Sequence, residues 1–84
     1  MQKIQWNQEK NFELMRSRGI SFENLLSARF MGIEKHPQKH HQQYMVFEYK
    51  KYIWIVPYVT YGDSYFLKTA FPSRKHTKKY LGGK

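Results

Sequence analysis

The sequence predicts an α+β fold in which two N-terminal helices pack on an antiparallel sheet of three to four strands, followed by a short basic helix. Three observations favour this class. Apolar residues recur at helical spacing before residue 31, strand-like apolar segments dominate after residue 43, and two-residue turn signals separate those segments. With 84 residues and no evident linker, the chain is expected to form one domain over 1–84.

The first half of the chain carries two helix signals. Residues 7–18 are expected to be helical because Asn7 is a suitable N-cap and Gly19 a suitable stop. Ser21 can cap a second helix, which we expect to run from Phe22 to about Arg29. Its apolar positions keep the i, i+3, i+4 spacing of one helix face: Phe22, Leu25, Leu26 and Phe30.

Strand signals follow the helices. The strand-like segments are 33–36, which Pro37 ends, and 44–49, 52–59 and 64–71. Lys50-Lys51 and Gly62-Asp63 connect the last three as two-residue hairpin turns. Because Pro57 cannot donate a backbone hydrogen bond, we expect its strand to bulge there or to lose a neighbour.

The hairpin turns fix a pairing register. The expected partners are Tyr49 with Tyr52, Phe47 with Trp54, Tyr61 with Ser64, Val59 with Phe66, and Trp54 with Phe71. One sheet face then carries Val46, Ile53, Ile55, Val59, Phe66 and Ala70. The other carries Met45, Phe47, Trp54, Val56, Tyr58, Leu67 and Phe71. We expect the two helices to cover the first, aliphatic face, and the C-terminal helix, a second protein or a nucleic acid to cover the aromatic one.

The composition restricts the function. Fifteen Lys and Arg against six Asp and Glu give a net charge of +9, which favours a polyanionic partner such as RNA. An acidic protein or an anionic membrane surface would satisfy the same charge. Cysteine is absent, so disulfides and thiolate zinc sites are excluded. No apolar run reaches the length of a membrane span or a signal core, and we expect a cytoplasmic protein without a membrane partner.

The C-terminal segment concentrates the charge. No acidic residue follows Asp63, and Ser73 can cap a short basic helix after the last strand. We expect the strand edge and this helix to gather uncompensated cations into a pocket for an RNA phosphodiester. The nucleic-acid-binding candidates of this helix are Lys75, His76, Lys78 and Lys79.

Three short motifs resemble the BrnT-type toxins of bacterial toxin–antitoxin pairs. They are Trp6-Asn7-x-x-Lys10-Asn11, then Arg18-Gly19-Ile20-Ser21-Phe22-Glu23, then Ser73-Arg74-Lys75, in the same order as W-D-x-x-K-N, K-H-G-I-S-F-E and S-A-R-K-A in that family. The chain departs from the pattern at Thr69, where the family carries an arginine. Lys68, one place earlier, is the nearest cation.

The resemblance implies a fold, an activity and a partner. The family is similar in fold to RelE-type toxins, which are ribosome-associated or free ribonucleases. The implied activity is metal-independent mRNA cleavage that inhibits translation, on ribosome-bound or free mRNA. The implied partner is a cognate ribbon-helix-helix antitoxin. Lys10 matches the helix-one lysine of the family and is a further candidate for the positive groove.

The catalytic candidates follow from what RNA cleavage needs without a metal: a base, a positive group and an acid. Arg74 suits a phosphate because its guanidinium binds in a bidentate manner. Lys68 suits charge stabilisation or a general base, and Tyr80 suits base stacking or proton transfer. The alternative is that the helix is a solvated basic tail, with Tyr80 pinning it down and Lys68 at a strand edge.

The histidines offer a second hypothesis. His36 and His40, in the polar loop after residue 35, are candidates for an acid–base pair. A metal site is not predicted, because no Cys or Asp lies nearby and the adjacent His40 and His41 project differently. An exposed hydrophilic loop is the simpler interpretation. No cofactor is expected.

Two rival functions stay open. One is a non-catalytic RNA- or DNA-binding module in which the same cations hold phosphates. The other is a protein-interaction domain whose charge meets an acidic partner.

Overall fold

The computed structural model describes residues 3–39 and 42–82. Strands and helices follow one another in these residues in the order β1 (Lys3–Trp6), α1 (Gln8–Arg18), α2 (Phe22–Leu26), β2 (Arg29–Lys35), β3 (Gln43–Tyr49), β4 (Tyr52–Tyr61), β5 (Ser64–Leu67), β6 (Phe71–Pro72) and α3 (Arg74–Leu81). No helix in the described ranges is long and apolar enough to cross a membrane.

The sheet is larger than the sequence predicts. Its strand order is β1-β5-β4-β3-β2, and β6 also pairs with β4, so the described residues form six strands rather than three to four. All pairs are antiparallel except β1 with β5, which run parallel. The described residues therefore begin with a strand that was not predicted from the sequence. β1 is mostly exposed at one sheet edge, and its polar–apolar alternation at Ile4 and Trp6 covers only four residues, which is a weak strand signal.

Helix α1 begins and ends, and helix α2 begins, as their caps predict. The side chain of Asn7 accepts a hydrogen bond from the Lys10 N–H, and Gly19 ends α1 in the left-handed conformation with φ of 69°. Ser21 and Asn24 form a capping box at the start of α2. Asn11 joins the two helices, because its buried carboxamide oxygen accepts a hydrogen bond of 2.7 Å from the Phe22 N–H.

The predicted end of the second helix is wrong. α2 stops at Leu26, and Arg29 already begins β2, so the edge strand covers Arg29–Lys35 rather than 33–36. The error arises because Phe30 follows Leu26 by four residues, which continues the helical spacing, although Phe30 pairs with Phe47 in the sheet. A bulge between Phe30 and Gly32 inserts one residue, so Phe30 and Ile33 face the same side of the sheet. Gly32 adopts φ of 144°, a conformation that suits glycine.

The hairpin register is confirmed up to Pro57. Tyr49 pairs with Tyr52, Phe47 with Trp54, Val59 with Phe66, and Tyr61 with Ser64. Beyond this point the prediction is wrong by one residue, because Phe71 pairs with Ile55 instead of Trp54. Pro57 accepts from the Lys68 N–H at 2.8 Å but has no N–H to return, and the ladder breaks there.

The helices cover the opposite face from the one expected. α1, α2 and the loop between them contribute Leu14, Ile20, Phe22 and Leu25 to a core with Met45, Phe47, Val56, Tyr58, Leu67 and Ala70. The smaller core on the other face contains Val46, Ile53 and Ile55, and Phe71 and Tyr80 pack on it. α3 thus covers the aliphatic face, and the expectation that α3, a second protein or a nucleic acid covers the aromatic face is wrong. Leu14, Phe22 and Leu25 of α1 and α2 are buried against the aromatic face, whereas α3 has no buried residue.

Candidate functional site

Helix α3 is fixed to the sheet through its first turn. The Ser73 hydroxyl accepts from the His76 N–H at 3.1 Å, which caps the helix as predicted. Thr77 Oγ1 accepts from the Ile53 N–H at 2.9 Å, and the Ser73 N–H donates to the Ile53 carbonyl at 2.9 Å. Both backbone groups of Ile53 therefore bind α3, and the helix has a defined inner and outer side.

The inner side of α3 converges on Glu34 of strand β2. Glu34 Oε1 lies 3.1 Å from His76 Nε2, and Lys79 Nζ donates to Glu34 Oε2 at 3.1 Å. The Tyr80 hydroxyl donates to the same Oε2 atom in a short hydrogen bond. Glu34 points to α3 because it pairs with Tyr44, which packs on the small core beneath the helix.

These contacts shift two pKa values in opposite directions. Partial burial opposes ionisation of Glu34, but the hydrogen bonds from Tyr80, Lys79 and His76 outweigh it and lower the pKa from 4.5 to about 2. The hydrogen bond to the Glu34 carboxylate, with burial and the charge of Glu34, raises the pKa of Tyr80 to about 12. Glu34 is therefore an anion and Tyr80 a neutral donor throughout the physiological pH range.

His76 is held at both ring nitrogens. Its Nδ1 lies 2.7 Å from the Ser73 hydroxyl, while Nε2 faces Glu34. The ring stacks on Tyr80 with centroids 6.4 Å apart, and its side chain is 17% exposed. A carboxylate that orients an imidazole is an arrangement suited to acid–base chemistry. His76 was expected to bind RNA, and no local signal in the sequence marks Glu34, because its partners in α3 lie 42 to 46 positions later.

The outer side of α3 is a basic surface. Arg74 and Lys78 are four residues apart and Lys75 and Lys78 are three apart, so these exposed side chains lie on one side of the helix. Lys79 and His76 contact Glu34 on the inner side, whereas Arg74, Lys75 and Lys78 on the outer side have no ion pair among the described residues and can bind anions. The cations of α3 therefore do not form the single uncompensated pocket that was expected.

Lys68 and Lys10 lie together at a separate cleft. This cleft, of about 440 Å³, lies where β5 ends beside the first turns of α1, and both lysines line it with Glu9, Glu13 and Phe66. Lys10 Nζ is 2.9 Å from Glu13 Oε1, and Lys68 Nζ lies 5.7 Å from the Phe66 ring centroid. Lys68 is exposed, and Lys10 already has an acidic partner. The structure does not place either lysine in the Glu34 cluster.

His36 organises its own loop. Its Nδ1 accepts from the N–H groups of Gln38 at 3.0 Å and Lys39 at 3.1 Å, and its ring lies 5.2 Å from that of Tyr44. The lone pair that a general base needs is therefore bound to the backbone. His40 lies outside the described residues. Among the residues that the structure describes, no group of three or more His, Cys, Asp or Glu could hold a metal ion.

Comparison with known proteins supports the fold. No protein-family model and no curated protein match the sequence. The structure resembles the crystal structure of the Brucella abortus ribonuclease toxin BrnT with a TM-score of 0.58 and 20% sequence identity, over 87% of this chain and 97% of that chain. This likeness confirms the BrnT-type fold that the sequence motifs imply. Membership of a wider RelE group stays a prediction.

Proposed function

We propose that this chain is a ribonuclease toxin of a bacterial toxin–antitoxin pair, and that it cleaves mRNA without a metal and so inhibits translation. The observation that carries the proposal is the two-sided arrangement of α3 on a fold shared with a ribonuclease toxin. The outer side offers free cations to phosphates. The inner side holds an imidazole against a carboxylate. The net charge of +9 adds a general attraction to RNA.

Arg74 is the phosphate-binding residue in this proposal. It lies in the first turn of α3, is exposed, and has no acidic partner among the described residues. Its guanidinium can bind two oxygens of a phosphodiester and stabilise the charge that develops when the 2′-oxygen attacks. Lys75 and Lys78, on the same side of the helix, extend the contact along the RNA backbone.

His76 is the acid–base residue in this proposal. Glu34 orients the ring through Nε2, and the Ser73 hydroxyl, next to Arg74, links Nδ1 to the outer end of the helix. The 2′-hydroxyl passes its proton to Ser73 Oγ while Ser73 passes its own proton to Nδ1. The 2′-oxygen then attacks the phosphorus, and the departing 5′-oxygen takes a proton from water.

The remaining catalytic candidates receive other roles. Tyr80, whose pKa is raised to about 12, keeps its proton and positions Glu34. His36 shapes the loop before β3. Lys68 supplies a cation at the cleft beside α1, and His40 stays a prediction.

The proposed partners are RNA and an antitoxin, both in the cytoplasm. An acidic ribbon-helix-helix antitoxin that binds the outer side of α3 would compete with RNA for Arg74, Lys75 and Lys78. Co-expression with the protein encoded by a neighbouring reading frame tests this directly. Restored growth supports the pairing, and growth arrest that no neighbouring protein relieves contradicts it.

A cleavage assay tests the activity. Purified protein is incubated with labelled RNA in EDTA, alongside Arg74→Ala, His76→Gln and Arg16→Ala. Gln retains a donor for Glu34 but cannot carry the proton, and Arg16 is an exposed arginine of α1 that controls for lost charge. We expect wild type and Arg16→Ala to cleave, and the other two variants to lose activity by about 100-fold or more. No cleavage by wild type contradicts the proposal.

One observation favours a second candidate, a non-catalytic nucleic-acid-binding module. Glu34 contacts His76, Lys79 and Tyr80, and these contacts hold α3 on β2. The cluster therefore has a structural role that needs no catalysis to account for it. The module predicts that wild type and His76→Gln bind RNA equally and that neither cuts it. The same assay, read for binding as well as for products, separates the two.

A further inference from the structure

A polar cleft opens where strand β4 outlasts its neighbour β3. β3 pairs with β4 only as far as Gln43 opposite Tyr58, so the last residues of β4 have a strand neighbour on the β5 side alone. The cleft has a volume of about 530 Å³, within the range of ~300–1,000 Å³ usual for ligand sites. Its lining includes Gln42, Gln43, Tyr58, Thr60, Tyr61 and Lys68.

Tyr58 fixes the direction of the Gln43 carboxamide. The Tyr58 side chain is buried, and its hydroxyl donates to Gln43 Oε1 at 2.9 Å. Desolvation, with the nearby Tyr65, raises the pKa of Tyr58, so the phenol remains a donor. The oxygen of Gln43 is therefore occupied, and its NH₂ group is the end left for a ligand. An NH₂ group donates to the carbonyl oxygens and ring nitrogens of base edges.

Tyr61 gives the cleft an exposed aromatic surface. It is 67% exposed at the end of β4, although large aromatic residues usually bury themselves. Exposed aromatic rings beside a positive charge are the usual platforms for single-stranded nucleic acid, since every base has a face to stack.

Lys68, which also lines the cleft beside α1, gives this cleft its charge. Among the described residues that line it, Lys68 alone is charged. Its side chain is exposed at the break between β5 and β6, and in the described part of the chain it has no ion pair. The cleft therefore offers one kind of group for each part of a nucleotide. The lysine can bind the phosphate, the amides can bind the base edge, and the aromatic ring can stack on the base face.

We propose that this cleft holds one unpaired nucleotide of the RNA, with its base stacked on Tyr61, its base edge bonded by Gln42 and Gln43, and its phosphate at Lys68. The inference rests on the proposed function, because that function supplies RNA as the ligand. It deepens that function by assigning sequence preference to a site apart from the Glu34 cluster. The RNA then contacts the protein at two places, α3 and the end of β4.

Binding of RNA that cannot be cut tests the cleft. The probes are 2′-O-methyl hexanucleotides of each of the four bases, which lack the 2′-hydroxyl needed for cleavage, added to the full chain. We expect Tyr61→Ser to weaken binding between about 5- and 100-fold. Tyr61→Phe, which keeps the ring, and Phe12→Ala, which removes an aromatic side chain 51% exposed on α1, should stay within about twofold of wild type. Equal affinities of Tyr61→Ser and wild type would overturn the assignment.

Gln43→Glu tests the reading of the base edge. Glutamate keeps an acceptor for Tyr58 but replaces the NH₂ donors by an oxygen, so we expect the order of affinity among the four hexanucleotides to change. An unchanged order would overturn the role of Gln43.

The two proposals fail separately. If wild type does not cut RNA but Tyr61→Ser still weakens binding, the ribonuclease proposal fails and the cleft assignment stands. If wild type cuts RNA and Tyr61→Ser binds and cuts equally well, the cleft assignment alone fails.

Discussion

His76 Nε2 and Glu34 Oε1 lie 3.1 Å apart, although 42 positions separate these residues in the chain. The contact joins the C-terminal helix to the edge strand β2. It gives the helix a place on the sheet and gives the imidazole a fixed orientation. The structural and the chemical roles of this pair can be separated by measurement.

Glu34→Gln should change the pH dependence of stability. The folded-state pKa of Glu34 is about 2, below its usual 4.5, so ionised Glu34 stabilises the fold above pH 4.5 and that stabilisation is lost as pH falls toward 2. We expect wild type to exceed Glu34→Gln in unfolding free energy by up to about 3 kcal/mol at neutral pH. The difference should shrink on acidification in denaturant melts. Glu9→Gln, at an exposed position of α1, is the control, and a constant gap between wild type and Glu34→Gln would contradict the account.

Tyr80→Phe should act at the alkaline end. The folded-state pKa of Tyr80 is raised to about 12, so its stabilisation is complete below pH 10 and declines as pH rises through 12. Wild type should therefore lose stability relative to Tyr80→Phe over that interval. Identical alkaline profiles in thermal melts would show that the phenol does not contribute.

Asn11→Ala should destabilise the fold. The Asn11 carboxamide accepts from the Phe22 N–H at 2.7 Å and donates to Glu23 Oε1 at 2.8 Å, and the side chain is 2% exposed. Removing it leaves a buried N–H without a partner, which costs about 2 kcal/mol. Urea denaturation should show this loss, whereas Asn7→Ser, which keeps an N-cap acceptor, should change stability little. An Asn11→Ala protein as stable as wild type would refute the structural role.

Lys51→Gly should stabilise the protein. Lys50 and Lys51 adopt φ of 52° and 65° in the turn between β3 and β4, a conformation that is costly for residues other than glycine. Glycine at Lys51 should raise the unfolding free energy by about 1 kcal/mol. Lys51→Ala removes the same charge but keeps the strain, so its stability should match wild type. Equal stabilities of the two variants would contradict the explanation.

The sequence predicts local features of this fold well. Asn7, Ser21 and Ser73 each cap the helix that the sequence assigns to them, because capping depends on neighbours three residues away. The hairpin register is equally local, and it holds until Pro57 interrupts the ladder. Three residues within the motifs that resemble BrnT-type toxins have such local roles, since Asn7 and Ser21 cap α1 and α2 and Asn11 joins the two helices.

Features that depend on distant residues could not be predicted. β1 pairs in parallel with β5, about 60 residues later, and its polar–apolar alternation covers only four residues. Phe30 continues the helical spacing of Leu26, so the start of β2 was assigned to a helix, and the same strand supplies Glu34. The segment of α3 itself contains no acidic residue, and the fold brings the carboxylate of Glu34 to it from the other half of the chain. Catalytic roles of Arg74, Lys68, Tyr80, His36 and His40 stay predictions.

The ends of RNA cleaved in EDTA test the central claim most directly. Attack by the 2′-oxygen leaves a 2′,3′-cyclic phosphate and a 5′-hydroxyl, and a substrate with one 2′-deoxy nucleotide at the cut position should resist cleavage there. We expect wild type to produce these ends and His76→Gln to produce almost none. Intact RNA after incubation with wild type, or cuts that persist at the 2′-deoxy position, would contradict the account.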